Sequence, residues 1–213
     1  MQALKFTDKF KQLAAAFLVL TAGVPHMTTQ AQDQVNTPEQ RQVLSSNQTR
    51  DQITRNIKSF ASFADQSAFE YLGALFNQQV TVDYTSAFGG EPAVVDRVTL
   101  MKQWAGLLPG FDLTYHDISN IKVKISGLDA RATADITASH YLTETNAEGD
   151  VTQDFWQISG YYIFKLKRVE EQWLIESLTL KRTNENGSRE VLAKAAALAP
   201  KKLAAKQAQL VAL

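Results

Sequence analysis

The stretch IKVKISGLDARATADITASHYL, residues 121–142, sets the architecture. Ile121, Val123 and Ile125 alternate with polar residues up to Gly127-Leu128-Asp129, and Ala132, Ala134, Ile136 and Ala138 alternate beyond it. A period of two belongs to a strand with one apolar face. Two such runs about a short glycine-containing turn form a hairpin. The pattern continues outward, so that everything from Phe111 to Arg182 reads as strand. NAEGD (146–150) is a second turn before FWQISGYYIFKLKRV (155–169), and EEQ (170–172) a third before WLIESLTLKR (173–182). Four long strands joined by short turns make an antiparallel meander.

Upstream the period is helical. Thr37 and Gln40 with Pro38 start a short helix, and Thr49 and Gln52 repeat the capping-box spacing ahead of Ile53, Ile57, Phe60, Ala61 and Ala64. A second helix follows Asp65, with Phe69, Leu72, Gly73 and Phe76 on one face. Val80, Val82 and Tyr84 then alternate as a strand, SAFGGEPA (86–93) is a loop, and Asp96 caps a third helix. That helix carries Leu100, Met101, Trp104, Leu107 and Leu108 and stops at Pro109-Gly110. Helices first and strands after, without βαβ alternation, indicate α+β: a curved antiparallel sheet packed against three N-terminal helices. The chain divides into residues 1–31, 32–47 (linker and short helix), the domain 48–187, and an Ala/Lys-rich tail 188–213 that is either helical or mobile.

Residues 1–31 have the form of a secretory signal peptide. Lys5, Lys9 and Lys11 precede the apolar run LAAAFLVLTAGV (13–24), and Thr29 and Ala31 offer small residues at a cleavage site. The run is too short to span a bilayer, for which roughly 20 residues are needed. Cleavage near Ala31 and export to a periplasm or beyond is the expectation, with no stable membrane insertion of the mature chain; a retained N-terminal anchor is the alternative. Losing three lysines and Asp8 takes the 22 basic and 22 acidic side chains to 19 and 21. A slightly acidic chain is not expected to bind nucleic acid. With no cysteine there is no disulfide, thiolate metal site or thiol nucleophile.

Only three histidines occur, and His26 lies in the leader. His140 is in phase with Ala134, Ile136 and Ala138, so it looks inward beside space that small side chains leave open. His116 shares a mixed row with Thr114, Ile118 and Asn120, and parity alone does not fix its direction. Tyr84 ends the inward row of its strand, and Tyr162 leads a row with Phe164 and Leu166. An apolar pocket with a few convergent polar groups is the default site of such a fold. A neutral imidazole oriented by the Asp65 carboxylate, with a tyrosine hydroxyl polarising a carbonyl, suffices for proton abstraction, dehydration or isomerisation without a cofactor. The alternative is that these side chains simply satisfy their hydrogen bonds in a core. Two histidines without HxH or HExxH spacing give no expected metal site.

Four blocks carry a resemblance: FASFADQSAFEYLGALFNQQVTVDYTSAFGG (60–90), LMKQWAGLLPGFDLTYHDISNIKV (100–123), ARATADITASHYL (130–142) and GYYIFKLKRVEEQWLIESLTL (160–180). Over roughly residues 48–187 the chain resembles the SnoaL-like group of the nuclear transport factor 2 superfamily, in the branch with scytalone dehydratase and bile-acid 7α-dehydratase. The resemblance implies a cone-shaped sheet with a deep pocket, acid–base chemistry on hydrophobic ring compounds, and a homodimer through the sheet. It places His116 and His140 at the catalytic pair, Tyr84 at a pocket tyrosine and Asp65 at the aspartate between the first two helices. The family's second aspartate falls on Ala68, its catalytic tyrosine on Ala64, and its polar pocket residues on the penultimate strand near Gly160 and Tyr162. The expected site is therefore His116, His140, Tyr84 and Asp65 for catalysis, with Tyr162, Trp104 and Phe88 contacting a small hydrophobic molecule. A non-catalytic binding or dimerisation module of the same fold is the other reading.

Overall fold

The computed structural model describes residues 46–145 and 147–211. The leader segment and the helix expected from Thr37 lie outside the described residues. The first helix, α1 (Ser46–Asp65), begins one turn ahead of the Thr49–Gln52 spacing, so Thr49 is buried inside it rather than capping it. Ile53, Ile57, Phe60, Ala61 and Ala64 form the expected buried stripe. Gln52 and Asn56 donate from their amides to the carbonyls of Glu171 (3.1 Å) and Trp173 (3.0 Å), fastening the helix to the last β-turn.

The second helix, α2 (Phe69–Ala74), is shorter than its apolar spacing suggested, because Phe76 belongs to strand β1 (Phe76–Asp83). The sheet captures the chain there: Ile175 donates its N–H to the Leu75 carbonyl at 2.8 Å. The stretch expected to be a loop holds a one-turn helix α3 (Thr85–Phe88) and a strand β2 (Ala93–Asp96) on either side of Gly89 and Gly90. Asp96 caps α4 (Arg97–Ala105) by accepting from the Thr99 N–H at 2.9 Å. This helix ends before Leu107, and Leu108–Gly110 form a separate 3-10 turn.

Strands β3 (Leu113–Ser126), β4 (Asp129–Thr145), β5 (Val151–Val169) and β6 (Gln172–Gly187) are the expected meander. The six strands lie in the order β2-β1-β6-β5-β4-β3, and every pairing is antiparallel except β1 with β6. The parallel pair follows from the helical hairpin: β1 reaches the sheet from the helix side and enters beside the last strand.

Small residues shape the interior. The inward row of β4 is Ala130, Ala132, Ala134, Ile136, Ala138, His140 and Leu142, all buried. Over these alanines the rings take the space. Phe60 meets Phe76, Trp104, Tyr162 and Phe164 edge-to-face, with centroids 5.6–6.1 Å apart. Each such ring buried contributes about 1.5–3 kcal/mol from area alone.

The tail forms helix α5 (Glu190–Val211), and it is docked rather than mobile. Val191, Ala195 and Ala199 are buried along one stripe, small enough for backbones to approach closely. A Cβ on Gly110 would collide with the Ala195 carbonyl. Lys202 donates to the Gly110 carbonyl (2.9 Å) and to Asp112 (2.5 Å), while Lys194 pairs with Glu144. Among the described residues no helix is long and apolar enough to cross a membrane.

Candidate active site

The site grows from the end of α1. Asp65 is its last residue, and its carboxylate reaches across to β3, where it accepts from the His116 backbone N–H at 2.9 Å and from the ring Nδ1 at 2.5 Å. Thr114, buried one pleat earlier, adds a side-chain hydrogen bond. Burial raises the Asp65 pKa, but the hydrogen bond and charge of His116, with the backbone and Thr114 contacts, hold it below the ordinary carboxylate value. An ionised carboxylate only accepts, so Nδ1 of His116 carries the proton. In the neutral ring that leaves Nε2, on the side away from Asp65, as the proton acceptor of a side chain that lines the cavity.

His140 sits one register step away, opposite Thr114 on β3 and Trp156 on β5. The two imidazoles are 5.3 Å apart at 86°. His140 is only 4% exposed and lies between the rings of Phe111 (4.9 Å) and Trp156 (5.1 Å). Its Nδ1 is 3.3 Å from the Trp156 carbonyl, an acceptor, so this nitrogen bears the hydrogen. Burial first, and the neighbouring His116 second, push its pKa down to about 3, keeping it neutral across the ordinary pH range.

Both rings open on a cavity of about 130 Å³. Tyr84, Phe88, Trp104 and Tyr162 line it too, so the structure brings together six of the seven side chains singled out from sequence, with Asp65 directly behind His116. The Tyr84 and Tyr162 hydroxyls hydrogen-bond to each other. Burial lifts Tyr84 well above the usual tyrosine value and Tyr162 to about 12, so both remain phenols. In such a pair one hydroxyl donates to the other, which leaves one O–H for a ligand. Phe88 comes from α3, which is pinned by the Leu180 carbonyl accepting from Ser86 (2.6 Å) and by Arg189 donating to the Ala87 carbonyl (2.7 Å).

Sequence reasoning missed Thr114, Trp156, Gln103 and the Leu107-Leu108 wall. Trp156 was the discoverable one, since it precedes Ile158 and Tyr162 on their inward row. Ala64, the position the resemblance assigned to a catalytic tyrosine, lines the cavity without a polar group; Ala68 stands just before α2 and is not among the lining residues. Among the described residues no three His, Cys, Asp or Glu side chains are placed to hold a metal ion.

A curved sheet closed by helices over a pocket with an Asp–His pair defines a pocket protein of the nuclear transport factor 2-like fold. The chain belongs to the SnoaL-like domain family, whose model matches residues 45–179. The Kfla4162 protein of Kribbella flavida is similar in structure, at 25% identity and a TM-score of 0.58, covering 68% of this chain and 96% of that one. A candidate scytalone dehydratase from Novosphingobium aromaticivorans follows the same fold at 23% identity and 0.55, over 66% and 88%. A type 2 hexachlorocyclohexane dehydrochlorinase does so at 13% and 0.54, also over 66% and 88%. No curated protein matches this sequence.

Proposed function

We propose that this protein performs cofactor-independent acid–base chemistry, of the dehydratase or isomerase kind, on a small hydrophobic ring compound. The observation that carries this is the double grip of Asp65 on His116, which fixes the ring's tautomer and aims a basic nitrogen at an apolar cavity. His116 Nε2 takes a proton from a carbon next to a carbonyl, and the C–H electron pair moves toward the carbonyl oxygen. The free tyrosine O–H stabilises the charge that develops there. The imidazolium, held by Asp65, then returns its proton to a leaving hydroxyl for dehydration or to a neighbouring carbon for isomerisation. His140 works as a neutral spacer and hydrogen-bonding group. The leader composition supports export of the mature chain, and the exposed row Leu113, Tyr115 and Phe155 supports a homodimer through the outer face of the sheet.

The test is solvent deuterium incorporation into a panel of one- and two-ring cyclic ketones, followed by NMR. Exchange catalysed by the wild type is expected to fall by about 10²-fold or more in His116→Ala and in Asp65→Asn. Unchanged exchange in His116→Ala, with a lowered thermal midpoint, would assign the ring to the core. The non-catalytic reading has one observation in its favour, the tight aromatic packing of His140. A panel that binds without any exchange would establish it.

A further inference from the structure

The cavity's size and charge narrow its occupant. An engineered protein cavity of roughly 150 Å³ with apolar walls takes up benzene, and the cavity here, about 130 Å³, is of that order. Its walls do not yield easily. Phe60 and Trp104 interlock edge-to-face at 5.9 Å, Phe88 lies against Trp156 at 5.8 Å, and Phe60 meets Tyr162 at 5.6 Å. Leu107 and Leu108 are held from behind, because the 3-10 turn they enter is clamped between α4 and α5 by the Gly110–Ala195 contact and the Lys202 bonds. A second fused ring would have to displace this packed shell.

Charge is equally restrictive. No lysine or arginine is among the residues that line the cavity. The full charges next to the walls lie behind them: the Asp65 carboxylate on His116, the Glu185 carboxylate on the Trp156 indole N–H, and the Arg189 guanidinium 5.8 Å over the Phe88 ring, while His140, buried between rings, stays neutral. An anionic ligand would lose its hydration with two carboxylates behind the walls and no cation lining the cavity to pair with, Arg189 being screened by the Phe88 ring. What the walls offer is one phenolic O–H, the His116 Nε2 and a small amide contribution from Gln103.

We infer that this cavity selects neutral, single-ring ketones, with or without a hydroxyl to lose, and turns away fused-ring molecules and ring carboxylates. The selection deepens the acid–base reading and relies on it only for the placement of the oxygen. Because Trp104 and Trp156 line the cavity, a ligand entering it changes the intrinsic tryptophan fluorescence.

The experiment titrates the full chain with three probes: 2-cyclohexen-1-one, 2-tetralone, which is a fused two-ring ketone, and benzoate, a single ring bearing a carboxylate. Saturable quenching is expected with 2-cyclohexen-1-one, at an affinity at least about tenfold above either other probe, since overfilling a packed shell and burying an unpaired charge each cost at least that factor. Trp104→Ala, which opens the wall, is expected to admit 2-tetralone; if that variant does not fold, the wild-type ratios decide alone. Affinity for 2-tetralone or benzoate within about threefold of 2-cyclohexen-1-one, or no saturable quenching by any probe, overturns the inference. Deuterium exchange separates the two claims. Selective binding of 2-cyclohexen-1-one with no exchange refutes the acid–base reading and leaves this one standing, while equal binding and exchange of one- and two-ring ketones does the reverse.

Discussion

Acidification from pH 7 to pH 5 should cost this protein about 2 kcal/mol through His140 alone. The folded ring has its pKa pushed down to about 3 by burial and by His116, whereas the unfolded chain returns it to about 6.5. Between those values the unfolded state binds a proton that the folded state refuses, so stability rises with pH throughout that window and is lost as pH falls from about 6.5 toward 3. At pH 5 the deficit is about 1.5 pH units, or about 2 kcal/mol at 1.36 kcal/mol per unit. For a chain of this size that lowers the thermal midpoint by about 4–8 °C. Melts followed by circular dichroism at pH 7, 6 and 5 measure it. His140→Asn retains a donor for the Trp156 carbonyl but cannot titrate, and its midpoint should move less over the same range by that amount. Asp65 and His116 are present in both proteins, so the difference between the two pH slopes isolates His140. Equal slopes would refute the assignment of a buried, neutral imidazole.

Three further outcomes are expected. Gly110→Ala drives a methyl into the Ala195 carbonyl; it should destabilise by about 3 kcal/mol or more and raise hydrogen exchange selectively in α5, as read by mass spectrometry. Tyr84→Phe with Tyr162→Phe in one chain removes both hydroxyls of the phenol pair; the double variant should slow proton exchange in the ketone panel by about 10²-fold, while either single variant keeps one O–H and should lose less. Phe155→Lys places a charge in the exposed outer row beside Tyr141 (ring centroids 6.2 Å apart); light scattering should show a homodimer in the wild type and a monomer in the variant.

Much of the site was legible because strands project side chains with a strict period. The inward row Ala134, Ile136, Ala138, His140 could be read directly, and it holds in the structure. His116 could not be read that way. A bulge between Ser119 and Lys122, with Asn120 at φ 51°, inserts one residue into β3, so Thr114, His116 and Ile118 face inward on one side of it and Ile121, Val123 and Ile125 on the other. Parity carried back from residues 121–125 would have turned His116 outward. The same limit applies to the ends: Phe76 has a helical spacing to Leu72 and Gly73, yet the sheet's hydrogen bonds claim it as strand.

Local periodicity and turn chemistry are short-range properties, and they were enough for the α+β architecture, the meander and the inward row that ends at His140; the other site residues rested on the resemblance to the SnoaL-like group. Distances between elements are not encoded in any local pattern. That Asp65 grips the backbone N–H and the ring Nδ1 of a residue 51 positions away, that His140 is sealed between two rings, and that an alanine-rich tail folds back as a clamp on Gly110 are outcomes of packing. Each depends on where helices settle on the sheet, and only the assembled core fixes that.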